Sequence, residues 1–337
     1  MKKMFTLMLV AMTAVSMKAQ MHGAMKFAGK SSLQVSTMNI ENSNDVVLFT
    51  MVDATSGDIT LSNMQAQGMP EIPSFTIKGV SFSMGANHLI TFPEQTFSTA
   101  VTVDGVEKTV TGTSLSGTYD MADQSLTLNV VFKYGAMPFP MAYSVKAYYV
   151  KSVTNAITVS VGGMFTYNNE SVTYNVRKYM DEGVEKLDVE VPQYQLDGTV
   201  MGDLTLGSYT IKGLTYNEEK GGFYRDYKDD GLVFHFVAKQ NGVATMDNDY
   251  SFNSEKDNNI LVTYSGNNIV SIVNTFQMGA MPFGIVTTFN NIVNGIDNVK
   301  VSDKVKNDGV AYDLSGRRVD DNFKGIVIVN GKKYLRR

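Results

Sequence analysis

The sequence contains no cysteine among its 337 residues. That excludes disulfide staples, a lipid-modified cysteine after the leader and every cysteine-ligated zinc centre. Histidine is scarce as well. His22, His88 and His235 stand far apart, and no HExxH or paired-histidine spacing is present, so no dedicated metal site is expected. There is no GxSxG elbow, no SxxK, no GxGxxG and no GxxxxGK[ST] loop, which removes the common signatures of acyl transfer and phosphate binding. Charged residues make up 18% of the chain, on the low side for a globular protein. No stretch holds an i, i+3, i+4, i+7 apolar spacing with caps, so amphipathic helices are not expected. Beyond the first residues no apolar run is long enough to span a membrane as a helix.

Charge is also uneven. The chain carries a net −4, yet residues 296–337 hold ten Lys and Arg against six Asp. The remainder is therefore distinctly acidic, which argues against nucleic acid as a partner.

What is present is a β composition, rich in Thr, Ser, Val, Asn and Gly, behind an export leader. Lys2 and Lys3 form a basic start, Met4–Met17 a short apolar core, and Ala19 a cleavage point. Residues 1–19 thus read as a signal peptide, and the mature chain is expected in the periplasm, at the cell surface or secreted. Without disulfides it must be held by core burial, which domains of this size achieve.

The body repeats itself. GAMPF occurs at 135–139 and 279–283, SFTIKGVSF at 74–82 matches SYTIKGLTY at 208–216, and Met64–Gly68 matches Tyr194–Gly198 more weakly. The offsets, 130, 134 and 144 residues, grow along the chain, as in a duplicated unit whose second copy has gained residues. The expected division is 21–150, 151–295 and a tail over 296–337. Glu218–Gly231 and Asp247–Asn259 are read as the solvated loops that lengthen the second copy.

Strands are expected at Val46–Val52, Ile59–Leu61, Leu126–Tyr134, Ile157–Val161, Val172–Val176, Leu187–Val191, Ile260–Tyr264 and Ile269–Phe276. Leu187–Val191 alternates, which places Asp188 and Glu190 on a wet face. Leu232–Val237 reads as a more buried strand. Asp104-Gly105 and Asn330-Gly331 predict tight hairpins, because both residues tolerate the positive φ that matches strand twist. Ile77 and Ile211 of the TIKG runs should point inward and Lys78 and Lys212 outward, with Gly79 and Gly213 permitting a bulge. Many short strands per repeat predict an all-β fold of sandwiches or barrels, and a barrel of about eight strands is either filled or holds one small ligand.

Candidate chemistry is sparse. Asp247, Asp249 and Ser251, with Glu255 nearby, have an alternating spacing, but an EF-hand's glycine and its final glutamate are replaced by Phe252 and Asn258. Pairs such as Asp181/Glu182 and Asp229/Asp230 are ordinary loop carboxylates. In GAMPF, glycine and proline mark a corner where ladder pairing stops. Met137, Phe139, Met281 and Phe283 then either plug a barrel end or line a pocket mouth. These four are the candidate ligand-binding residues; no catalytic residue, metal ligand or cofactor is expected.

The stretches Leu61–Gly68 with Thr76–Gly79, and Val191–Gly198 with Thr210–Gly213, resemble the calycin-like (lipocalin-like) domains of exported Bacteroidetes proteins, in two copies over 21–295. The tail, YDLSGRRV at 312–319 followed by KGIVIVNGKKYL at 324–335, resembles C-terminal sorting segments of the same phylum. The resemblance implies two tandem antiparallel calycin-like β-barrels plus a short C-terminal β segment, and binding of small hydrophobic molecules. It carries over no catalytic residue. The leading expectation is a non-enzymatic, exported binding protein for an apolar or amphipathic, lipid-like ligand. The alternatives are an envelope interaction module with filled barrels, its tail docking to a partner, and a hydrolase using His88 or His235 as base.

Overall fold

The computed structural model describes residues 23–65, 71–85, 87–199, 201–290, 300–301, 311–312, 317–320, 323–329 and 332–336. The expected signal peptide and the Asn330-Gly331 turn lie outside the described residues. Those described are strands and their connections, without a helix.

The first barrel is built from β1 (Met25–Val35), β2 (Met38–Met51), β3 (Ser56–Leu61), β4 (Phe75–Ser81), the short β5 (Ser83–Met84), β6 (Leu89–Val103), β7 (Val106–Asp120), β8 (Ser125–Tyr134) and the first half of β9 (Met141–Val161). Antiparallel ladders run β4-β3-β2-β1-β9-β8-β7-β6. Closure between β4 and β6 is made by side chains. Thr99 Oγ1 donates to the Thr76 carbonyl at 3.0 Å, and the Gln95 amide exchanges two 2.9 Å bonds with the backbone of Ser81. The hairpin at Asp104-Gly105 forms as expected, with φ of 51° and 77°. Inside, Phe27, Val47, Phe49, Ile59, Leu61, Leu128 and Phe132 are fully buried, each contributing about 1.5–3 kcal/mol by leaving water.

The second barrel continues along the same strand. Its ring is β9, β10 (Phe165–Asp181), β11 (Val184–Val191), then, past β12 (Tyr194–Thr199) and β13 (Gly202–Leu206), β14 (Tyr209–Asn217) and β15 (Gly222–Asp226). After β16 (Val233–Gln240) and β17 (Val243–Ser251) it resumes with β18 (Asn259–Ser265), β19 (Asn268–Phe276) and β20 (Ile285–Asn290), which pairs back onto β9. β12, β13, β16 and β17 form a separate four-stranded sheet. β9 thus belongs to both barrels. Met141–Tyr149 pair with β1 and β8, and Val150–Val161 with β10 and β20. The seam expected near residue 150 falls in the middle of an unbroken strand.

The TIKG repetition has a structural cause. Lys78 and Gly79 lie together opposite Asp58, and Lys212 and Gly213 lie together opposite Asp188, a bulge in the same place of each barrel. The bulge glycines have φ of 66° and 70°, where a side chain is disfavoured. Ile77 and Ile211 point inward and are buried, while Lys78 and Lys212 are exposed.

Three local readings need correction. Asp188 is not on a wet face. It does point away from the interior, but Arg177 covers it and both lie beside the inter-barrel contact, leaving it 5% exposed. Leu232–Val237 is not a buried strand, because Phe234 and Phe236 face inward while Val233 and His235 are exposed. Glu218–Gly231 and Asp247–Asn259 are not simply loops. The first contains β15, a wall strand that inserts Phe223 and is followed by the buried Tyr227, and the second begins inside β17. Outward charged side chains on these strands gave them a loop-like composition.

Residues 292–337 form a unit of their own. In it β21 (Lys300–Val301), β22 (Ala311–Tyr312), β23 (Arg318–Val319), β24 (Gly325–Val329) and β25 (Lys332–Arg336) make a five-stranded sheet. The buried Ala311 and Val327 meet Val319 and Phe323 in its small core.

Candidate functional site

The GAMPF corners join β8 to β9 and β19 to β20. Each is closed by the same two bonds. The N–H groups of Gly135 and Gly279 donate to Thr109 and Ser251 at 2.8 and 3.0 Å, and those of Met137 and Met281 to Tyr134 and Met278 at 3.1 and 2.9 Å. Gly135 and Gly279 have positive φ, which is why the repeat keeps glycine there.

From this shared frame the two copies diverge. Met137 packs against the first core, whereas Phe139 is 56% exposed. Met281 packs against the second core and lines a cavity of about 350 Å³ together with Met201, Phe236, Met246, Tyr250, Met278, Ala280 and Pro282. Phe283 is outside that cavity. It is 39% exposed and its ring lies over Gly162, where a Cβ would come within 2.9 Å of it. Of the four candidates, Met281 is the one that lines this cavity.

The cavity lies between the second GAMPF corner and the four-stranded sheet. β16 contributes Phe236, β17 Met246 and Tyr250, and the turn before β13 Met201. The Phe236 and Tyr250 rings meet edge to face at 5.7 Å. Met278 is buried, and Met246 is 40% exposed at the opening. Four thioethers on flexible stems give an apolar wall that can re-form around differently shaped guests. Three of the four methionines, and both aromatics, escaped sequence reasoning. They are scattered over Met201–Met278, and the β13-β16-β17 pairing together with the bridge between Phe252 and Met278 assembles them.

The barrel interiors are occupied by their own side chains. In the second, Tyr174 and Tyr194 share a hydroxyl–hydroxyl bond of 2.6 Å, the Asn274 amide donates to Tyr209 at 2.7 Å, and Tyr227 donates to Asn274 Oδ1 at 2.8 Å. Burial pushes all four phenols above their usual range. Met64, Phe75 and Val130, at the repeat-equivalent places of Tyr194, Tyr209 and Asn274, leave the first interior without this network, and its buried polar contact is instead the Tyr143 hydroxyl donating to Asp45 at 2.8 Å.

His235 is exposed and sits between two carboxylates, with Nδ1 2.8 Å from Asp249 and Nε2 3.0 Å from Asp247. The Asp249 hydrogen bond, more than the Asp247 charge, holds its pKa above the usual imidazole value. Asp247 and Asp249 are spent on that imidazole, and the Ser251 carbonyl on Gly279, so the suggested calcium loop is a strand whose acids face a histidine. Among the described residues no group of three or more His, Asp or Glu is arranged to hold a metal ion. His88 occupies a turn with φ of 61° and, among the described residues, has no carboxylate partner within ion-pair distance. Among the described residues no helix is long and apolar enough to cross a membrane, a statement that does not extend to strands.

A comparison with curated proteins finds none that matches. Among solved structures, one crystal structure of a candidate outer membrane protein from Bacteroides fragilis is similar at 16% identity, over 80% of this chain and 96% of that one, with a TM-score of 0.25. The family model described as the calycin-like beta-barrel domain matches residues 23–145 and 154–292. The two matches stop on either side of the middle of β9 and together take in both rings and both GAMPF corners. By two such domains in tandem, covering well over half of its length, the chain belongs to the calycin-like β-barrel domain family.

Proposed function

We propose that this protein is a non-enzymatic binding protein of the cell envelope that takes one small apolar or amphipathic molecule, lipid-like in character, at the end of its second barrel. The observation that carries the reading is the methionine-lined cavity at Met281. It is apolar, partly open through Met246, and about 350 Å³ in volume, within the lower range of small-molecule sites. The ligand sits beside the second barrel's core and not along its axis, since that axis is filled by tyrosines. The absence of a catalytic motif in the sequence and the separation of His88 from His235 support binding over hydrolysis. The leader-like residues 1–19 support export.

Native mass spectrometry of the protein, before and after solvent extraction, tests the proposal together with titration of a medium-chain fatty acid. Binding at one site, lost in Met281→Lys and in Met246→Asp but kept in Met137→Lys, is expected. Binding that survives both second-barrel substitutions would remove the pocket from consideration. A second reading, an interaction module of the envelope, draws on the filled interiors of both barrels. It predicts cross-linked partners in cells and no bound small molecule.

A further inference from the structure

The outer wall of the first barrel carries a second concavity, of about 720 Å³, lined almost wholly by polar and charged residues. Its floor is two cross-strand rows on β1, β9 and β8. Lys30 stands opposite Lys146, which stands opposite Thr127; Ser32 stands opposite Ser144, which stands opposite Asn129. Glu41, opposite Ser32, extends the second row onto β2, and Asn42 and Ser43 continue the lip. The strands are held close here, because a Cβ on Gly29 would lie 2.1 Å from the Lys146 carbonyl oxygen.

Two like charges directly opposite each other on a sheet are destabilising. Neither Lys30 nor Lys146 makes an ion pair among the described residues. Lys146 lies 5.9 Å over the Tyr148 ring. Asp181 feels the charge of Lys30, but it is committed to Lys186 at 2.8 Å. On an otherwise acidic body, this leaves a basic pair facing an open groove. Beside it stand hydroxyls, that of Ser32 donating to Asn39 at 2.5 Å, the amides of Asn42 and Asn129, and the Glu41 carboxylate, which has no ion pair among the described residues. These are groups that exchange hydrogen bonds with sugar hydroxyls. A bare anion would use the lysines and be repelled by Glu41. A neutral sugar would use the second row and leave the lysines unmatched. A ligand with one acidic group and several hydroxyls uses both rows.

We propose that this groove binds an acidic carbohydrate, its carboxylate or sulfate between Lys30 and Lys146 and its hydroxyls along Ser32, Ser144, Asn129 and Glu41. The site is on the other barrel from the methionine pocket and does not depend on it. Calorimetric titration of the full chain with a uronic-acid disaccharide, the matching neutral disaccharide and inorganic phosphate tests the proposal. The acidic disaccharide is expected to bind roughly tenfold or more tightly than either control, as charge-assisted bonds added to neutral ones require. Lys30→Gln with Lys146→Gln should remove that preference, and Glu41→Gln should weaken the disaccharide while strengthening phosphate. Lys133→Gln, elsewhere on β8, should change nothing. No binding of the acidic disaccharide, equal binding of the neutral one, phosphate binding as tight as the sugar, or an equal loss in Lys133→Gln would each overturn the proposal.

Discussion

The carboxylate of Asp188 accepts the backbone N–H of Gly213 at 2.8 Å. Asp58 accepts that of Gly79 at 2.9 Å in the first barrel, so one aspartate in each repeat ties down the bulge that the TIKG sequence creates. The two ties differ in their surroundings. Asp188 also receives the Tyr179 hydroxyl at 3.0 Å and pairs with the nearly buried Arg177, whereas Asp58 is more accessible to solvent.

Removing the two aspartates should therefore have unequal effects. Asp188→Ala leaves a guanidinium without its partner at the inter-barrel contact and is expected to cost about 3–5 kcal/mol. Asp58→Ala loses a single bond to a backbone N–H, a cost of about 1–2 kcal/mol. Urea unfolding of each variant measures the difference; equal losses would contradict the assignment. At the same bulge, Gly213→Ala places a side chain at a φ of 70° and should cost about 1–2 kcal/mol.

The tyrosine network of the second barrel gives a second expectation. Asn274 joins Tyr209 and Tyr227 and is fully buried. Asn274→Ala opens a void and leaves hydroxyls short of partners, a loss of about 2–4 kcal/mol. Chemical denaturation should show it, with the first barrel's near-ultraviolet signal unchanged under native conditions.

His235 supplies a pH dependence whose sign is fixed by its neighbours. Its pKa is raised in the folded chain by Asp249 and Asp247, so its contribution to stability is fully present below the unfolded value near 6.5. That contribution fades as pH rises through the folded value. Proton NMR should find the His235 ring titrating above 6.5, and Asp249→Asn should move it down. A ring that titrates at or below the ordinary value in the wild-type chain would refute the clamp.

The pocket wall carries a test by oxidation. Hydrogen peroxide converts exposed methionines to polar sulfoxides, and Met246 stands at the opening while Met278 is buried. Peptide mapping should find Met246 modified well before Met278. A bound apolar ligand should slow the reaction at Met246, and ligand protection that appears only outside the pocket would argue against occupancy there.

Much of the fold was legible because strands and turns are local. Asp104-Gly105 announced its hairpin, the inward isoleucines of TIKG followed from alternation, and the growing offset located the second copy. Long-range covering was not legible. Asp188 alternates like any solvated acid, and only Arg177 and the neighbouring barrel bury it. The pocket was legible only through Met281, since Met201, Met246 and Phe236 carry no local mark of converging. The length of β9 does have a local sign: Met141–Val161 contains neither glycine nor proline, which is how a single long strand reads.

That strand has a consequence for the pair of barrels. Its odd-numbered residues Met141, Tyr143, Val145 and Ala147 fill the first interior, and Val153, Ile157 and Val159, on the same face, fill the second. The mutual orientation of the barrels is therefore written as a parity. One extra residue after Tyr149 would leave each wall intact but roll one barrel over relative to the other, separating Arg177 from Asn44 and Tyr148 from Tyr179. Two extra residues would restore the facing. A duplication joined in this way has a strand where a linker would stand, and it keeps its facing only under insertions of an even number of residues.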